Sequence, residues 1–349
     1  MNGIWFDNIH SYEDLNLVLS VPDIPPATAK TNFIDIPGGD GSVDLTEALG
    51  EVKFKDRKCT FTFTVFPTDD FEVKKRQVSN LLNGKRCNIV LDKDPGYYWQ
   101  GRCSINNYAS NKNLHKIVVG AVVAPYKLKE KQTSVLAPFC GKNLLDTSAD
   151  NQIVQRYGET VFIDNGFRKS GAYFAGFRAH VAKNTDYSLS MNIKKIKEAS
   201  TAPSGGRVAI YNTANTISIA QFPSSNGDCA FTFNSGDYTE INVLFYSDSY
   251  ETVGEYEFTN IQLEAGVATP YEAYTPVETK NITLTNGRMA VCPSITCTND
   301  NTKFTVDGLE FTLSKGTHTV PEFQLHEGET DVALAGTGAV IFNYQEGDL

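Results

Sequence analysis

Apolar and polar positions along this chain alternate with period two far more often than they repeat at helical spacing. Over 59–66, Phe61, Phe63 and Val65 alternate with Thr60, Thr62 and Thr64. Successive strand side chains point to opposite faces, so this segment predicts a half-buried strand with those three residues on one face. Segments 88–91 and 116–123 also read as strands. One helix is expected over about 70–83. Phe71, Val78, Leu81 and Leu82 fall near one stripe, Asp69 or Asp70 suits the N-cap, and Gly84 suits the exit. Residues 1–128 therefore read as a β unit with one covering helix.

Composition shifts after Gly141, where Asn, Ser, Thr, Gly and aromatic residues become dense. Strands are expected at 187–193, 207–211, 230–233, 241–246 and 256–263, a spacing that suits a sandwich. The segments 202–206 and 223–227 carry loop chemistry. A third stretch begins near Val277, with strands at 281–284, 304–306, 310–313 and 339–344. Asn286-Gly287 and Asp307-Gly308 are the expected hairpin turns. No repeat of fixed period is present.

The 349 residues suit two or three domains. With 41% hydrophobic and 21% charged residues, the chain is not a disordered tail. Its net charge of −10 argues against nucleic acid as a partner, because phosphate binding needs clustered cations. Lys194, Lys195 and Lys197 make too small a patch to change that. The longest apolar run, 117–124, ends at Pro125, far short of the roughly 20 residues that span a bilayer. The N-terminus lacks the basic and apolar regions of a secretory signal. Seven scattered cysteines read as free thiols made in a reducing cytosol.

Catalytic motifs do not emerge. Gly141-Lys142 is no phosphate loop, Gly336-Thr337-Gly338 no dinucleotide loop, and His326-Glu327 no metalloprotease helix. Glu251, Glu255 and Glu257 include a conceivable carboxylate pair, but solvated strand-edge charges explain them better. The acidic run 40–47 reads as a turn after Gly38-Gly39 rather than a cation site. The aromatic residues of 141–277 are the better lead. A sugar packs its C–H face on an aromatic ring and offers hydroxyls to planar polar partners. Alternation assigns Phe231, Phe233, Phe245 and Phe258 to a core. Tyr173, Phe177, Arg178, Tyr211, Tyr246 and Tyr250 stand in polar or Gly-rich contexts and are the candidate saccharide contacts.

Longer patterns carry a family resemblance. Gly38-Gly39-Asp40-Gly41, then Asp44-Leu45-Thr46, then Arg57 and the Phe/Thr strand resemble the phage distal tail protein family (Dit). So do Leu82-Asn83-Gly84-Lys85-Arg86, the stretch from Asp92 to Arg102, and Ala124-Pro125-Tyr126-Lys127-Leu128. The C-terminal stretch, through Asn286-Gly287-Arg288, Leu325-His326-Glu327-Gly328 and Tyr344 to Leu349, is similar to that family's galectin-like domain. Asn143-Leu144-Leu145, the stretch from Ile261 to Gly266, and that from Ala268 to Tyr274 resemble the ends of carbohydrate-binding jelly-roll modules of phage tails. Both tryptophans, Trp5 and Trp99, lie outside this module, which leaves stacking to Tyr and Phe.

The resemblance implies a mainly β chain in three parts. Residues 1–128 would be a ring-forming, belt-like β domain. Residues 129–140 and 278–349 would form a galectin-like β-sandwich, interrupted by a jelly-roll β-sandwich at 141–277. It further implies a non-enzymatic hub at the distal end of the virion tail, made in the bacterial cytoplasm. Its partners would be itself in a homohexameric ring, the tail tube protein, tail-associated lysin or baseplate proteins, and host cell-wall saccharide. Neither nucleic acid nor membrane insertion is implied. No cofactor is implied beyond a structural calcium of the kind such modules often carry. A purely structural hub, whose insert docks another baseplate protein, and a wall-polysaccharide hydrolase are the other readings.

Overall fold

The computed structural model describes residues 3–48, 50–66, 70–111, 114–155, 158–171, 173–197, 207–223, 225–248 and 254–349. It is mainly β, built from antiparallel sheets, with one α-helix among the described residues. Buried apolar side chains there form three large clusters and one small one.

The first cluster underlies a nine-stranded N-terminal sheet. The strand Arg57–Val65 buries Cys59, Phe61, Phe63 and Val65, as alternation predicts. The helix Phe71–Leu82 covers the sheet through Val78 and Leu82. Asp70 caps it by accepting from the Glu72 and Val73 N–H groups, and Gly84 takes the left-handed conformation just beyond it (φ 76°). Strands Lys127–Lys129 and Gly347–Asp348 pair with each other beside Tyr97–Asn111, so the far end of the chain returns to this sheet. From its edge strand Leu17–Asp23 the chain runs out to the hairpin Phe33–Asp35/Ser42–Asp44, which pairs with nothing else among the described residues. Gly38 and Gly41 take positive φ between those strands, so the acidic run 40–47 begins in the expected turn.

The third cluster lies between two four-stranded sheets, here the C-terminal sandwich. Asp307 and Gly308 both have positive φ (49° and 79°) and join Thr302–Val306 to Leu309–Leu313 in a two-residue hairpin. Asn286-Gly287 makes no such turn. The strand Thr279–Asn286 pairs with Gly328–Ala335 instead, and the buried Asn286 amide donates to the Met289 and Leu325 carbonyls. The bond to Leu325, 39 positions on, commits the Asn286 side chain to holding a different segment rather than to a two-residue hairpin.

Between Phe139 and Leu284, two members of that third cluster, lies a complete middle sandwich of two five-stranded sheets. Its core contains an aromatic cluster in which the ring centroids of Phe167 lie 5.1 Å from Phe177, 5.2 Å from Phe245 and 5.5 Å from Phe258. Entry and exit run side by side. Gly141 donates to the Thr275 carbonyl, Val277 to Phe139, and Leu144 to Leu263. Asn143 closes this stem at 2% exposure. Its Oδ1 accepts from Leu145 and Leu263, and its Nδ2 donates to the Ile261 and Glu272 carbonyls. Gln262 and the buried Glu264 extend the network. Glu272 N–H donates to Gln262, while the Thr269 N–H and hydroxyl donate to Glu264.

All seven cysteines are free thiols, and the Sγ atoms of Cys87 and Cys103 lie 3.2 Å apart. The 202–206 loop and part of the 223–227 loop fall outside the described residues.

Burial works to raise the Glu264 carboxyl pKa, but the Thr269 and Gln262 hydrogen bonds and Lys142 outweigh it, so the net shift is downward. A depressed folded-state pKa contributes stability that is present above the unfolded value, about 4.3, and is lost as pH falls through the folded one. We expect the middle sandwich of the wild type to lose stability below that pH. Glu264→Gln should cost about 1–3 kcal/mol at neutral pH and flatten the acid profile. Chemical denaturation at a series of pH values checks both.

Candidate functional site

The candidate residues of 141–277 fall on the sheet Gln152–Gln155, Tyr173–His180, Glu240–Asp248, Arg207–Tyr211 and Ser218–Pro223, in that order. Alternation sends Ala175, Phe177, Ala179, Ile241, Val243, Phe245, Val208 and Ile210 inward. The opposite face carries Phe174, Leu244, Tyr246 and Ala209, the small fourth cluster, with Tyr211 packed against it.

The register arranges this outer face in three rows. Arg178 stands across from Asn242, and Asn242 from Tyr211. Two residues along, Gly176, Leu244, Ala209 and Gln221 line up, and beyond them Phe174, Tyr246 and Arg207. The middle row begins at a glycine, and its Leu244 and Ala209 pack with Phe174 and Tyr246 of the aromatic row.

Asn242 organises the polar row. It is buried, accepts from Arg178 Nε at 3.2 Å, and donates to the Thr213 carbonyl and to Asn215 Oδ1. The Arg178 guanidinium is thereby aimed from a fixed point, while Arg178 itself stays half-exposed. Tyr211 is also half-buried, and its hydroxyl accepts from Gln221. In the aromatic row the Arg207 guanidinium sits 4.4 Å from the Tyr246 ring centroid, a cation–π contact. Phe174 packs against the same ring at 4.9 Å. Burial pushes the Tyr246 phenol up, against a smaller opposing effect of Arg207.

These positions revise the sequence expectation. Phe177 faces inward and is fully buried, so it packs the core and offers no ring to a ligand. The Gly-rich context made Phe177 a candidate contact, but 173–180 is a strand, and strand alternation puts Phe177 with Ala175 and Ala179. Tyr246 lies on the outer face but at 8% exposure, sandwiched by Arg207 and Phe174. It shapes the face rather than presenting a free stacking surface. Arg178 and Tyr211 share the polar row. Tyr173 opens its strand, but its side chain and the whole of Tyr250 lie outside the described residues. Asn242, Arg207 and Gln221 carry no local signal, because each is an ordinary polar residue of its strand and joins the face only through cross-strand register.

On the other sheet, Glu257 pairs with Arg168 and Lys194, and Glu255 pairs with Arg168. The Arg168 hydrogen bond holds the Glu257 carboxyl below its usual range despite partial burial. Glu257 is thus not poised as a general acid, and Glu251 lies outside the described residues. No group of three or more His, Cys, Asp or Glu side chains converges among the described residues as a metal site.

No family model matches the sequence, and no curated protein matches it. Among solved structures, the chain is similar to SPP1 Dit, described as a paradigm of the hub adsorption apparatus in phages infecting Gram-positive bacteria. The identity is 10%, all of both chains is covered, and the TM-score is 0.39. A weaker similarity, at 10% identity and a TM-score of 0.17, covers 93% of this chain and 90% of a triple jelly-roll protein from the turret of an archaeal virus. At these values the similarities leave function to the residues.

Asn242→Ala would strip partners from Arg178, Thr213 and Asn215 at once. We expect a loss of about 1–3 kcal/mol in the middle sandwich and faster amide exchange in the 212–216 turn. Denaturation and hydrogen exchange read the two effects separately.

Proposed function

We propose that this chain is a structural hub at the distal end of a long, non-contractile phage tail, built on the plan of distal tail proteins. In this reading residues 1–128 form a homohexameric ring and residues 129–140 with 278–349 form a galectin-like domain. Residues 141–277 are an inserted jelly-roll module that contacts host cell-wall saccharide. The ring joins the tail tube to tail-associated lysin or baseplate proteins.

The observation that carries the reading is the stem. A complete sandwich leaves and re-enters another sandwich through adjacent segments at 139–145 and 261–277, joined by an isolated bridge between Cys140 and Pro276 and by backbone hydrogen bonds from Gly141, Leu144 and Val277. Adjacent termini are what let a domain sit within a loop of another. This matches the arrangement implied by the tail-protein motifs on either side. The saccharide part of the reading is supported by the row Arg178, Asn242 and Tyr211, which mixes a fork of donors, an amide and a partly open ring. The ring part is supported by the hairpin. There Phe33, Ile34, Ile36 and Val43 are 56%, 52%, 49% and 44% exposed. Apolar side chains held outward on a projecting hairpin suit a surface that another subunit covers. A ring also makes weak sites sufficient, because several engage one wall together. Glu255 and Glu257 are held in ion pairs, so the reading is binding rather than hydrolysis.

Native mass spectrometry should find a hexamer. Ile34→Asp should shift it toward monomer without changing the thermal unfolding of the subunit. A wild type that stays monomeric at every concentration contradicts the ring. A hexamer that binds a baseplate protein but no cell wall favours the docking role for the insert.

A further inference from the structure

Where the middle sandwich meets the C-terminal sandwich, they enclose a cavity of about 380 Å³. That is within the roughly 300–1,000 Å³ of small-ligand sites. Arg178 and His180 line it from the outer sheet face, Asp146, Asn151 and Tyr274 from the segments beside the stem, and Asn299 from the C-terminal sandwich. Arg178 thus belongs both to the polar row and to this cleft.

The polar groups here are held but not used up. Arg178 spends Nε on Asn242 and has no carboxylate partner among the described residues. Asp146 accepts from Ser148 N–H through Oδ1 and forms no ion pair among the described residues. His180 Nδ1 is buried and makes no hydrogen bond among the described residues; Glu240 Oε1 lies 3.3 Å away but is not placed for one. Burial lowers the His180 pKa against the pull of Glu240, so the ring is neutral at pH 7. Asn299 donates to Thr337 and Asn151 to the Asp146 carbonyl, which leaves each side-chain oxygen able to accept.

One cation and one anion on the cleft walls cancel in charge. A planar fork of donors and a carboxylate with spare lone pairs together suit adjacent hydroxyls, each of which donates and accepts. Tyr274 adds a half-buried ring for a sugar's C–H face. An acidic ligand would have to set a second anion near Asp146.

We propose that this cleft is a site for a short neutral saccharide, gripped by both sandwiches at once. The proposal rests on the saccharide reading above and fixes its ligand class and location. Occupancy would tie the middle sandwich to the C-terminal one, coupling wall contact to the hub.

The test uses the full chain, titrated calorimetrically with glucose-, galactose- and N-acetylglucosamine-based oligosaccharides and with counterparts carrying glycerol phosphate. Arg178→Ala and Asn299→Ala should each weaken binding of a neutral oligosaccharide about tenfold or more. Asn299 is an exposed side chain bonded only to Thr337, so its variant should unfold at the wild-type temperature. Tyr211→Ala, two strands from Arg178 and outside the cavity lining, tells the open row from the cleft. Loss on Tyr211→Ala with full binding by Asn299→Ala would place the site on the open sheet face; the cleft would fall and the saccharide reading survive. Tighter binding of the phosphate-bearing forms would overturn the neutral assignment. A folded wild type that binds no oligosaccharide would overturn both the cleft and the reading it rests on.

Discussion

The middle sandwich can sit within another sandwich only because its two ends are fastened to each other, and Asn143 is the fastening. One buried amide uses its oxygen twice and its nitrogen twice, joining the entry segment to the exit strand and to the returning segment beyond it. Burying an amide costs free energy unless its groups are paired, so a fully engaged Asn holds that geometry and disfavours others. Gln262 and Glu264 continue the principle outward, each accepting an N–H from the chain that leaves the sandwich. Backbone hydrogen bonds from Gly141, Leu144 and Val277 then hold the entry and exit segments side by side as a short stem.

What the stem fixes, the rest uses. It sets the outer sheet face of the middle sandwich beside the C-terminal sandwich, so that Arg178 and Asn299 line one cavity. Asn242 then decides where the guanidinium points. The hairpin Phe33–Asp35/Ser42–Asp44 pairs with no other strand among the described residues and exposes its apolar side chains. Rigid polar fastening around the cleft and open apolar surface on the hairpin divide the two proposed tasks between different parts of the chain.

The sequence made local elements legible where a single face is buried. The Phe/Thr strand, the Asp70-capped helix and the Asp307-Gly308 turn all follow from neighbours a few residues away. The longest strand, Tyr97–Asn111, was hidden because its register shifts between Ile105 and Asn107, which breaks the alternation among polar residues. Phe177 stands in a Gly-rich context that made it a candidate contact, although Ala175, Phe177 and Ala179 already carry the inward period. Asn286 was misread because its partners lie at Met289 and Leu325 rather than in a turn. The end motifs of the middle module were visible as residues, but the bond from Asn143 to Ile261 spans 118 positions, and no local rule pairs them. For the same reason the polar row and the cleft could not be assembled from the sequence, since each joins residues from strands or domains far apart in it.

Amide hydrogen exchange on the full-length chain and on Asn143→Ala tests the account most directly. If Asn143 fastens a self-contained sandwich, protection falls first in 143–145 and 261–275 and then through the middle sandwich, while the amides of 57–65 and 114–123 keep theirs. Equal loss of protection across all three cores, or no loss at the stem, would contradict it.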